Sequence, residues 1–271
     1  FFFSSNVVPK RVILGVTCGS ENPAPTFTIF HIMAWLYSEP ELNALQRLER
    51  ELGVSKVLAG LLLKKGWQDL DAARSFLKPR LADLQCPFRL TNLEAAVARL
   101  MQAMAKGERI TIIGDYDVDG VTSTALLVSI LREFSIFPRY TLPRRLEEGY
   151  GLSRTLVERV LHEEVPGLLI ALDCGTNSVE EVALLREQGV DVVIIDHHRS
   201  KEGIPADCVL VNPHVFDGEH EPWKNLCTVG LVFKYVHGLL KKLREENVEE
   251  ALRIRLKDYL DLVALGTVAD L

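Results

Sequence analysis

The sequence predicts an α/β protein, with a parallel sheet flanked by helices and a small helical region in front of it. Of the 271 residues, 48% are hydrophobic and 25% are charged, a composition typical of a chain with a packed core. Between about residues 40 and 105 only helical periodicity is present. Beyond that point, short β-branched runs alternate with amphipathic segments, the pattern of parallel strands joined by helices.

The helical region is indicated by apolar residues that recur at three- and four-residue spacing. They form two runs: Leu42, Leu45, Leu48 and Leu52, and then Leu93, Val97, Leu100 and Met104. Residues 1–32 lack such a pattern and contain three prolines, so we expect the native fold to start near Met33. The predicted domains are an extension at 1–32 outside the native fold, a helical N-terminal region at 33–105, and a sheet domain at 106–271, truncated at its C-terminal end.

The sheet domain is predicted as strands and helices in alternation. Strands are expected at residues 109–114, 139–142, 167–172, 191–195 and 208–211. Helices are expected at residues 122–134, 153–163, 179–188, 229–242 and 248–265. Because ligands of parallel sheets bind beyond the carboxyl ends of the strands, the residues at those ends are candidates for a functional site.

Acidic and imidazole side chains follow three of the predicted strands. The candidates are Asp115, Asp117 and Asp119 after the first strand, Asp173 after the third, Asp196, His197 and His198 after the fourth, and Asp270 at the end of the last helix. Since the carboxyl ends of parallel strands meet at one edge of a sheet, we expect these groups to converge there.

Two local patterns suggest how these groups are used. Asp117 and Asp119 are separated by one residue, so on an extended segment both carboxylates point the same way, toward one metal cluster. Gly120 would then let the chain turn into the next helix. His197 and His198 are adjacent, so on an extended segment they face opposite ways, one as a metal ligand and one toward substrate.

The chemistry of these groups predicts a two-metal centre. Carboxylates and imidazoles without thiolates suit Mg²⁺ or Mn²⁺ and could accept Zn²⁺. So many carboxylates leave too much negative charge for one ion, whereas two ions about 3.5–4 Å apart, bridged by Asp173 or Asp270, would serve phosphoryl displacement. Asp196 would orient one of the imidazoles. The run from Asp115 opens like an EF-hand loop, but Leu126 stands at position twelve, where that loop requires glutamate.

Charge and cysteine content limit the other classes of protein. The net charge of −6 argues against a protein held on DNA or an anionic membrane by bulk positive charge, and leaves room for a local basic groove. Five cysteines without a C-x-x-C pair suggest neither a disulfide framework nor a cysteine zinc site, so we expect a reducing, cytoplasmic compartment. No apolar run approaches the ~20 residues of a membrane span. The sequence also lacks a P-loop and a dinucleotide fingerprint.

Taken together, these motifs resemble the DHH phosphoesterases, a family named after the triplet that begins at Asp196. The most specific piece is the run from Ile112 to Thr124, IIGDYDVDGVTST. The supporting pieces are RLEEGYGL from Arg145, DCG from Asp173, VNP from Val211 and GTVADL from Gly266. Within the family, the chain from about Met33 to its last residue is similar to the amino-terminal part of the RecJ-type exonucleases.

The resemblance implies a metal-dependent 5′→3′ exonuclease of single-stranded DNA that releases 5′-mononucleotides in DNA repair and recombination. It implies two Mn²⁺ or Mg²⁺ ions, held by Asp117, Asp119, Asp173, His197 and Asp270. His198 would meet the scissile phosphate. Many members have a further histidine ligand where this chain has Ile113, and Asp115 would compensate for it. A single-strand-binding protein and a helicase are the implied protein partners.

Three further assignments concern Arg145, Tyr150 and the segment before Gly230, the last of which differs from the usual family sequence. Arg145 is either a phosphate clamp or an ordinary surface arginine, and Tyr150 is expected to pack rather than to stack on a base. The family usually has small residues before Gly230, so the segment that begins at Cys227 is expected to change helix packing rather than chemistry.

The chain is interpreted as a fragment, because relatives continue past the last motif into a linker helix, a DHH-associated domain and an OB-fold. Asp270 is the penultimate residue, so we expect weak metal binding and little nuclease activity from the 271 residues alone.

Two alternative functions stay open. One is a DHH phosphoesterase that acts on short oligoribonucleotides or cyclic dinucleotides; the helical region at 33–105 argues against it, since the smaller enzymes are not expected to have that region. The other is a non-catalytic partner protein that has lost metal ligands. The retention of every candidate ligand argues against this second alternative.

Overall fold

The computed structural model of the chain describes residues 40–144, 148–201 and 203–270. The predicted start at Met33 and the candidate phosphate clamp Arg145 lie outside these ranges.

The chain divides into two compact units, one that ends at Asp83 and one that begins at Leu84. The domain limits inferred from the sequence, at residues 32 and 105, stay a prediction. Among the described residues, no helix combines the length and the apolar character needed to cross a membrane.

The first unit consists of short helices around a small apolar core. Its helices are α1 (Leu42–Leu52), α2 (Lys56–Lys64) and α3 (Leu70–Leu77), followed by a 3-10 turn at Leu81–Asp83. The side chains of Ser55 and Asp69 start α2 and α3 by accepting hydrogen bonds from the amides of Leu58 and Ala72. The buried core residues are Leu45, Leu48, Ala59, Leu62 and Ala73.

The second unit contains all the strands of the described chain and eight further α-helices. In chain order the elements are α4 (Leu93–Lys106), β1 (Ile110–Gly114), α5 (Val118–Glu133), β2 (Arg139–Thr141), α6 (Arg154–Glu163), β3 (Leu168–Leu172), α7 (Val179–Glu187), β4 (Asp191–Ile195), β5 (Val209–Val211), α8 (Pro213–Phe216), α9 (Thr228–Glu245), α10 (Glu249–Arg253) and α11 (Leu260–Ala269). Short 3-10 turns lie at Pro87–Arg89 and Leu256–Tyr259.

The strands form one parallel sheet in the order β2-β1-β3-β4-β5. Ile112 of β1 lies opposite Ile170 of β3, and Ile170 lies opposite Val193 of β4. All five residues of β1 and of β3 are buried, because helices cover both faces of the sheet. The α/β class predicted from the sequence is confirmed.

Alternate residues of the central strands contribute to two separate cores. Ile112 and Ile170 face the larger core, which includes buried residues of α4, α5 and α9. Ile113 and Leu169 face the smaller core, which includes residues of α6 and α7. The chain leaves β1 to form β2 on one side and later returns to form β3 on the other, so a crevice opens at the carboxyl ends of β1 and β3, where ligands bind in such sheets.

Helix α9 extends to Glu245 rather than to residue 242, and two other helices differ more from the sequence prediction. Helix α5 begins at Val118 rather than at residue 122, because the Asp117 carboxylate accepts a hydrogen bond from the amide of Gly120 and caps the helix. Gly120 therefore lies inside the helix instead of turning the chain into it. A side chain there would collide with the backbone of Asp115, 2.4 Å from its carbonyl oxygen.

The single helix predicted at 248–265 is divided into α10 and α11. Ile254 is buried and has an extended backbone. The Arg244 guanidinium donates hydrogen bonds to the carbonyl oxygens of Ala251 and Ile254. These carbonyls are then satisfied without a continuing helix, so the chain can turn before it forms α11.

Candidate metal centre

Three neighbouring strands bring the predicted acidic residues to one edge of the sheet. Asp115 follows β1, Asp173 follows β3 and Asp196 follows β4, and these strands are adjacent in the sheet. All three carboxylates are buried. Asp270 reaches the same edge from the end of α11, where its Oδ2 lies 3.7 Å from Nδ1 of His197. The convergence predicted from the sequence is therefore present.

Asp115 and Asp117 lie close together but in different surroundings. Asp115 accepts a hydrogen bond from the amide of Tyr116 through Oδ1, while its Oδ2 has no hydrogen-bond partner among the described residues. Burial raises the pKa of Asp115. Asp117 is exposed and caps α5, so the two carboxylates at 117 and 119 do not alternate along an extended segment as the sequence suggested.

Asp119 is held by the first residues of α9. Its Oδ2 accepts a hydrogen bond from the amide of Thr228, with an N···O distance of 2.6 Å, and its Oδ1 accepts one from the amide of Val229 at 2.8 Å. These amides are among the free donors of a helix N-terminus, which favours negative charge. Burial nevertheless raises the pKa of Asp119.

Asp173 lies at the centre of the site. It is 1% exposed and has a left-handed backbone, with φ at 65°. Its Oδ1 accepts a hydrogen bond from the Thr228 hydroxyl at 2.8 Å and lies 3.4 Å from Nε2 of His197. Its buried Oδ2 has no hydrogen-bond partner among the described residues. Burial, the largest influence, raises the pKa of Asp173 to about 7.

His197 is surrounded by carboxylates. Its Nε2 lies 3.4 Å from Asp173 and 3.8 Å from Asp119, and its Nδ1 faces Asp270. Burial lowers the pKa of His197, but the hydrogen bond and charge of Asp173, together with Asp270, outweigh burial and the pKa is raised. An imidazole among three carboxylates matches the mixed ligand set expected of a divalent metal site.

His198 is oriented by Asp196. The Nδ1 atom of His198 lies 2.7 Å from Oδ1 of Asp196, which also accepts the amides of His197 and His198. The hydrogen bond with Asp196 raises the pKa of His198 to about 9. Burial would raise the pKa of Asp196, but the hydrogen bond and charge of His198, together with the side chain of Thr176, lower it to about 2.

The two histidine rings do not face opposite ways. Their centroids are 4.8 Å apart, and His197 Nε2 and His198 Nδ1 lie 3.4 and 4.0 Å from the same oxygen of Asp173. The reason is that the residues after β4 leave the extended conformation, so the alternation of a strand does not apply to them. Tyr150 is 58% exposed rather than packed inside, and its hydroxyl lies 3.3 Å from His198 Nε2.

The donor set fits divalent cations. Three overlapping groups each bring three ligand atoms within 4.8 Å of one another: Asp173, His197 and His198; Asp119, Cys227 and Asp270; and Asp115, Asp117 and Asp173. The buried Oδ2 atoms of Asp115 and Asp173, which have no hydrogen-bond partner in the described chain, leave two acceptor oxygens available to a cation. Carboxylate oxygens and imidazoles suit Mn²⁺ and Mg²⁺.

Several residues at the site were not anticipated. The thiol of Cys227 lies beside Asp119 and Asp270, although the sequence predicted a site without sulfur. Thr228 contacts two carboxylates, so the segment before Gly230 changes the site and not only helix packing. No local pattern in the sequence indicates these contacts, because they join residues far apart in the chain.

A further unanticipated residue is Asn212, which supports the histidine segment. Its buried side-chain amide donates to the Thr176 hydroxyl and to the carbonyl of His198, both at 2.8 Å. Asn212 stands in the VNP run that supported the family resemblance, so a signal for it was present although no role was assigned.

Comparison with known proteins gives one family. Residues 109–267 match the family described as "DHH family, N-terminal domain". The chain is 35% identical over 239 residues to the single-stranded-DNA-specific exonuclease RecJ of Bacillus subtilis (strain 168). This match covers 88% of this chain and 29% of that protein. It is 39% identical over 186 residues to the protein of the same name from Haemophilus influenzae, and this match covers 68% of this chain and 32% of that protein. The chain thus spans about 30% of the length of these relatives.

Solved structures agree with this assignment. An exonuclease RecJ bound to manganese superposes with a TM-score of 0.59 at 32% identity, covering 69% of this chain and 45% of that one. RecJ from Thermus thermophilus in complex with Mn²⁺ gives a TM-score of 0.67 at 29% identity, covering 86% of this chain and 31% of that one.

Proposed function

The chain belongs to the DHH family, and we propose that its metal centre hydrolyses phosphodiester bonds. The proposed activity is that of a 5′→3′ exonuclease that acts on single-stranded DNA and releases 5′-mononucleotides. The observation that carries the proposal is the pair of buried carboxylate oxygens, on Asp115 and Asp173, that have no hydrogen-bond partner within the described ranges and lie at one sheet edge with His197. Such oxygens are costly unless a cation neutralises them.

Two divalent ions, Mn²⁺ or Mg²⁺, are the proposed cofactors. Their proposed ligands are Asp117, Asp119, Asp173, His197 and Asp270, with Asp115 as the compensating group beside Ile113. Bound there, the ions would activate water and polarise the phosphoryl oxygens. The protein's part is to fix the ligands: α9 amides hold Asp119, and the Thr228 hydroxyl holds Asp173.

His198 is the proposed contact to the scissile phosphate. Its Nδ1 is occupied by Asp196, and its Nε2 faces the exposed Tyr150 hydroxyl at the mouth of the site. With its pKa raised to about 9 in the metal-free chain, His198 carries a proton on each ring nitrogen at neutral pH. The Nε2–H group donates to the Tyr150 hydroxyl in the substrate-free chain, and a phosphoryl oxygen that replaces this exposed acceptor would receive the hydrogen bond and have its charge offset.

The wider setting is proposed from family resemblance. Single-stranded DNA is the substrate, a single-strand-binding protein and a helicase are the proposed protein partners, and the cytoplasm is the proposed compartment. Repair and recombination of DNA are the processes that such an exonuclease would serve.

An end-labelled DNA assay tests the function. The chain, in excess over substrate, is incubated with Mn²⁺ and 5′-phosphorylated single-stranded DNA, the same strand in a duplex, or a dinucleotide. We expect slow release of 5′-mononucleotides from the 5′ end of the single strand, in keeping with the weak metal binding and low activity predicted for the 271 residues alone, and loss of that product in Asp173→Asn. Asp258→Asn, at an exposed residue paired with Arg255, is the control that retains activity.

Other outcomes select the alternatives. Preferential hydrolysis of the dinucleotide would indicate an enzyme of short oligoribonucleotides or cyclic dinucleotides. Hydrolysis that is unchanged in Asp173→Asn would contradict the metal centre described above. Absence of both hydrolysis and Mn²⁺ binding would indicate a non-catalytic partner protein.

A further inference from the structure

The first turn of α9 contacts two of the buried metal-ligand candidates, Asp119 and Asp173. The amides of Thr228 and Val229 bond the two oxygens of Asp119, and the Thr228 hydroxyl bonds Asp173. Any residue at position 228 except proline would supply the amide. The hydroxyl, by contrast, is the particular contribution of the threonine side chain, which is fully buried.

The hydroxyl makes the two oxygens of Asp173 unequal. A threonine hydroxyl has one proton to donate, and here it goes to Oδ1 at 2.8 Å. Oδ1 also faces His197 Nε2 at 3.4 Å, whereas the buried Oδ2 has no hydrogen-bond partner among the residues described. The orientation of the carboxylate is thus set by one bond from α9, which holds Oδ1 beside His197 and leaves Oδ2 without a hydrogen bond in the described chain.

The backbone of Asp173 does not supply this restraint. Asp173 has left the strand and adopts a left-handed conformation, so the sheet no longer dictates the direction of its side chain. The hydroxyl that bonds its side chain belongs to Thr228, which is 55 residues away in sequence. Partners of this kind orient metal ligands, and their loss costs about 10- to 100-fold in metal affinity.

We propose that Thr228 is a positioning residue of the metal centre, whose hydroxyl fixes the orientation of the Asp173 carboxylate beside His197 for binding a divalent ion. The proposal rests on the proposed function, because it requires that a divalent ion binds there. It contradicts the simpler interpretation that Thr228 only fills space between α9 and the sheet.

Binding of Mn²⁺ alone, without DNA, tests the proposal. Affinity is measured by calorimetry and by the loss of the free Mn²⁺ electron paramagnetic resonance signal. Thr228→Val keeps the shape and loses the hydroxyl, so we expect an affinity about 10- to 100-fold lower. Thr228→Ser keeps the hydroxyl and loses a methyl group, so we expect affinity within about threefold of the wild type.

A matched control separates the hydroxyl from general destabilisation. Thr124→Val also removes a buried threonine hydroxyl, but one that bonds the carbonyl of Gly120 and contacts no carboxylate. We expect this variant to bind Mn²⁺ like the wild type. If Thr228→Val does not fold, as judged by circular dichroism without metal, the pair Thr228→Ala and Thr228→Ser makes the same comparison.

Each result has one meaning. Equal Mn²⁺ affinity in Thr228→Val and wild type, or equal losses in Thr228→Val and Thr228→Ser, would overturn the positioning role while leaving the proposed function intact. A wild-type chain that binds no Mn²⁺ would overturn the metal-dependent function and the positioning role together.

Discussion

Replacing Asp196 by asparagine tests whether this carboxylate sets the state of His198. The buried carboxylate accepts hydrogen bonds from the amides of Thr176, His197 and His198, and it contacts the His198 ring nitrogen. Asparagine has the same shape but one acceptor oxygen, and its NH₂ group would face an N–H donor. At least one of these donors therefore loses its acceptor.

Two magnitudes follow for the metal-free chain. A hydrogen bond to a charged group contributes ~1.5–3 kcal/mol and an unsatisfied buried donor costs about 1–3 kcal/mol, so we expect the free energy of unfolding to fall by about 2–4 kcal/mol. The bond with Asp196 raises the pKa of His198 from 6.5 to about 9. At about pH 7.5 that change corresponds to ~97% rather than ~9% protonation of the ring.

The sign of the pH dependence follows from the raised pKa. A group whose pKa is higher in the folded chain stabilises the fold below its unfolded pKa. The stabilisation by the Asp196–His198 pair is therefore fully present between pH 3.8 and 6.5, is lost as the pH rises through about 9, and is also lost as the pH falls toward about 2, where Asp196 is protonated. Asp196→Asn should lack this dependence.

The assay is a titration of the histidine Cε1 proton resonances in metal-free protein. We expect His198 to titrate near 9 in the wild type and clearly lower in Asp196→Asn, where only the charges of Asp173 and Asp115 still raise its pKa and burial lowers it. Asp191→Asn is the matched control, because it removes a carboxylate at the other end of β4 that pairs with Arg99 and Arg186. It should lower stability without moving the pKa of His198. A His198 that still titrates near 9 in Asp196→Asn would refute the reasoning.

Two further changes are checked by denaturant unfolding. Alanine at Gly120 gains ~1 kcal/mol of helix propensity, but its Cβ would lie 2.4 Å from the carbonyl oxygen of Asp115 and 2.5 Å from its nitrogen. The collision with backbone outweighs the propensity, so we expect a net loss of at least about 2 kcal/mol, and a variant as stable as the wild type would contradict this. The second change is Glu148→Gln. The hydrogen bond from Arg159 lowers the pKa of Glu148, so the wild type should have a higher free energy of unfolding than the variant above pH 4.5 and should lose this difference as the pH falls below 4.5. A difference in stability that does not vary with pH would count against it.

The parts of the fold that the sequence predicted are those with a local signal. The runs at 110–114 and 168–172 are five consecutive buried residues, and β-branched or aliphatic runs of that length between helical segments predict central parallel strands. The acidic groups at Asp115 and Asp173 follow directly from those strands. Sequence and topology together therefore located the site, since strand order brings both residues to one crevice.

The parts that the sequence did not predict depend on contacts between distant residues. The division between α10 and α11 follows from the Arg244 guanidinium, which satisfies carbonyls seven and ten residues ahead. The amides that bond Asp119 come from residues 109 and 110 positions later. Neither contact leaves a periodic or compositional trace. The start of α5 did have a local signal, Asp117 three residues before Gly120, but the alternating aspartates matched a strand equally well.

The acidic residues of the site fall into two classes that differ in what the protein offers them. Asp196 and Asp119 have hydrogen-bond donors on both oxygens; these donors and His198 lower the pKa of Asp196, whereas burial still raises the pKa of Asp119. Asp115 and Asp173 each have one buried oxygen without such a donor in the described chain, and burial raises the pKa of both. A protein that needed these groups only for structure would gain by replacing them, because buried unpaired charge is unfavourable. A cation beside His197 would neutralise these two carboxylates, while Asp196, which has donors on both oxygens and a lowered pKa, holds the histidine segment around it.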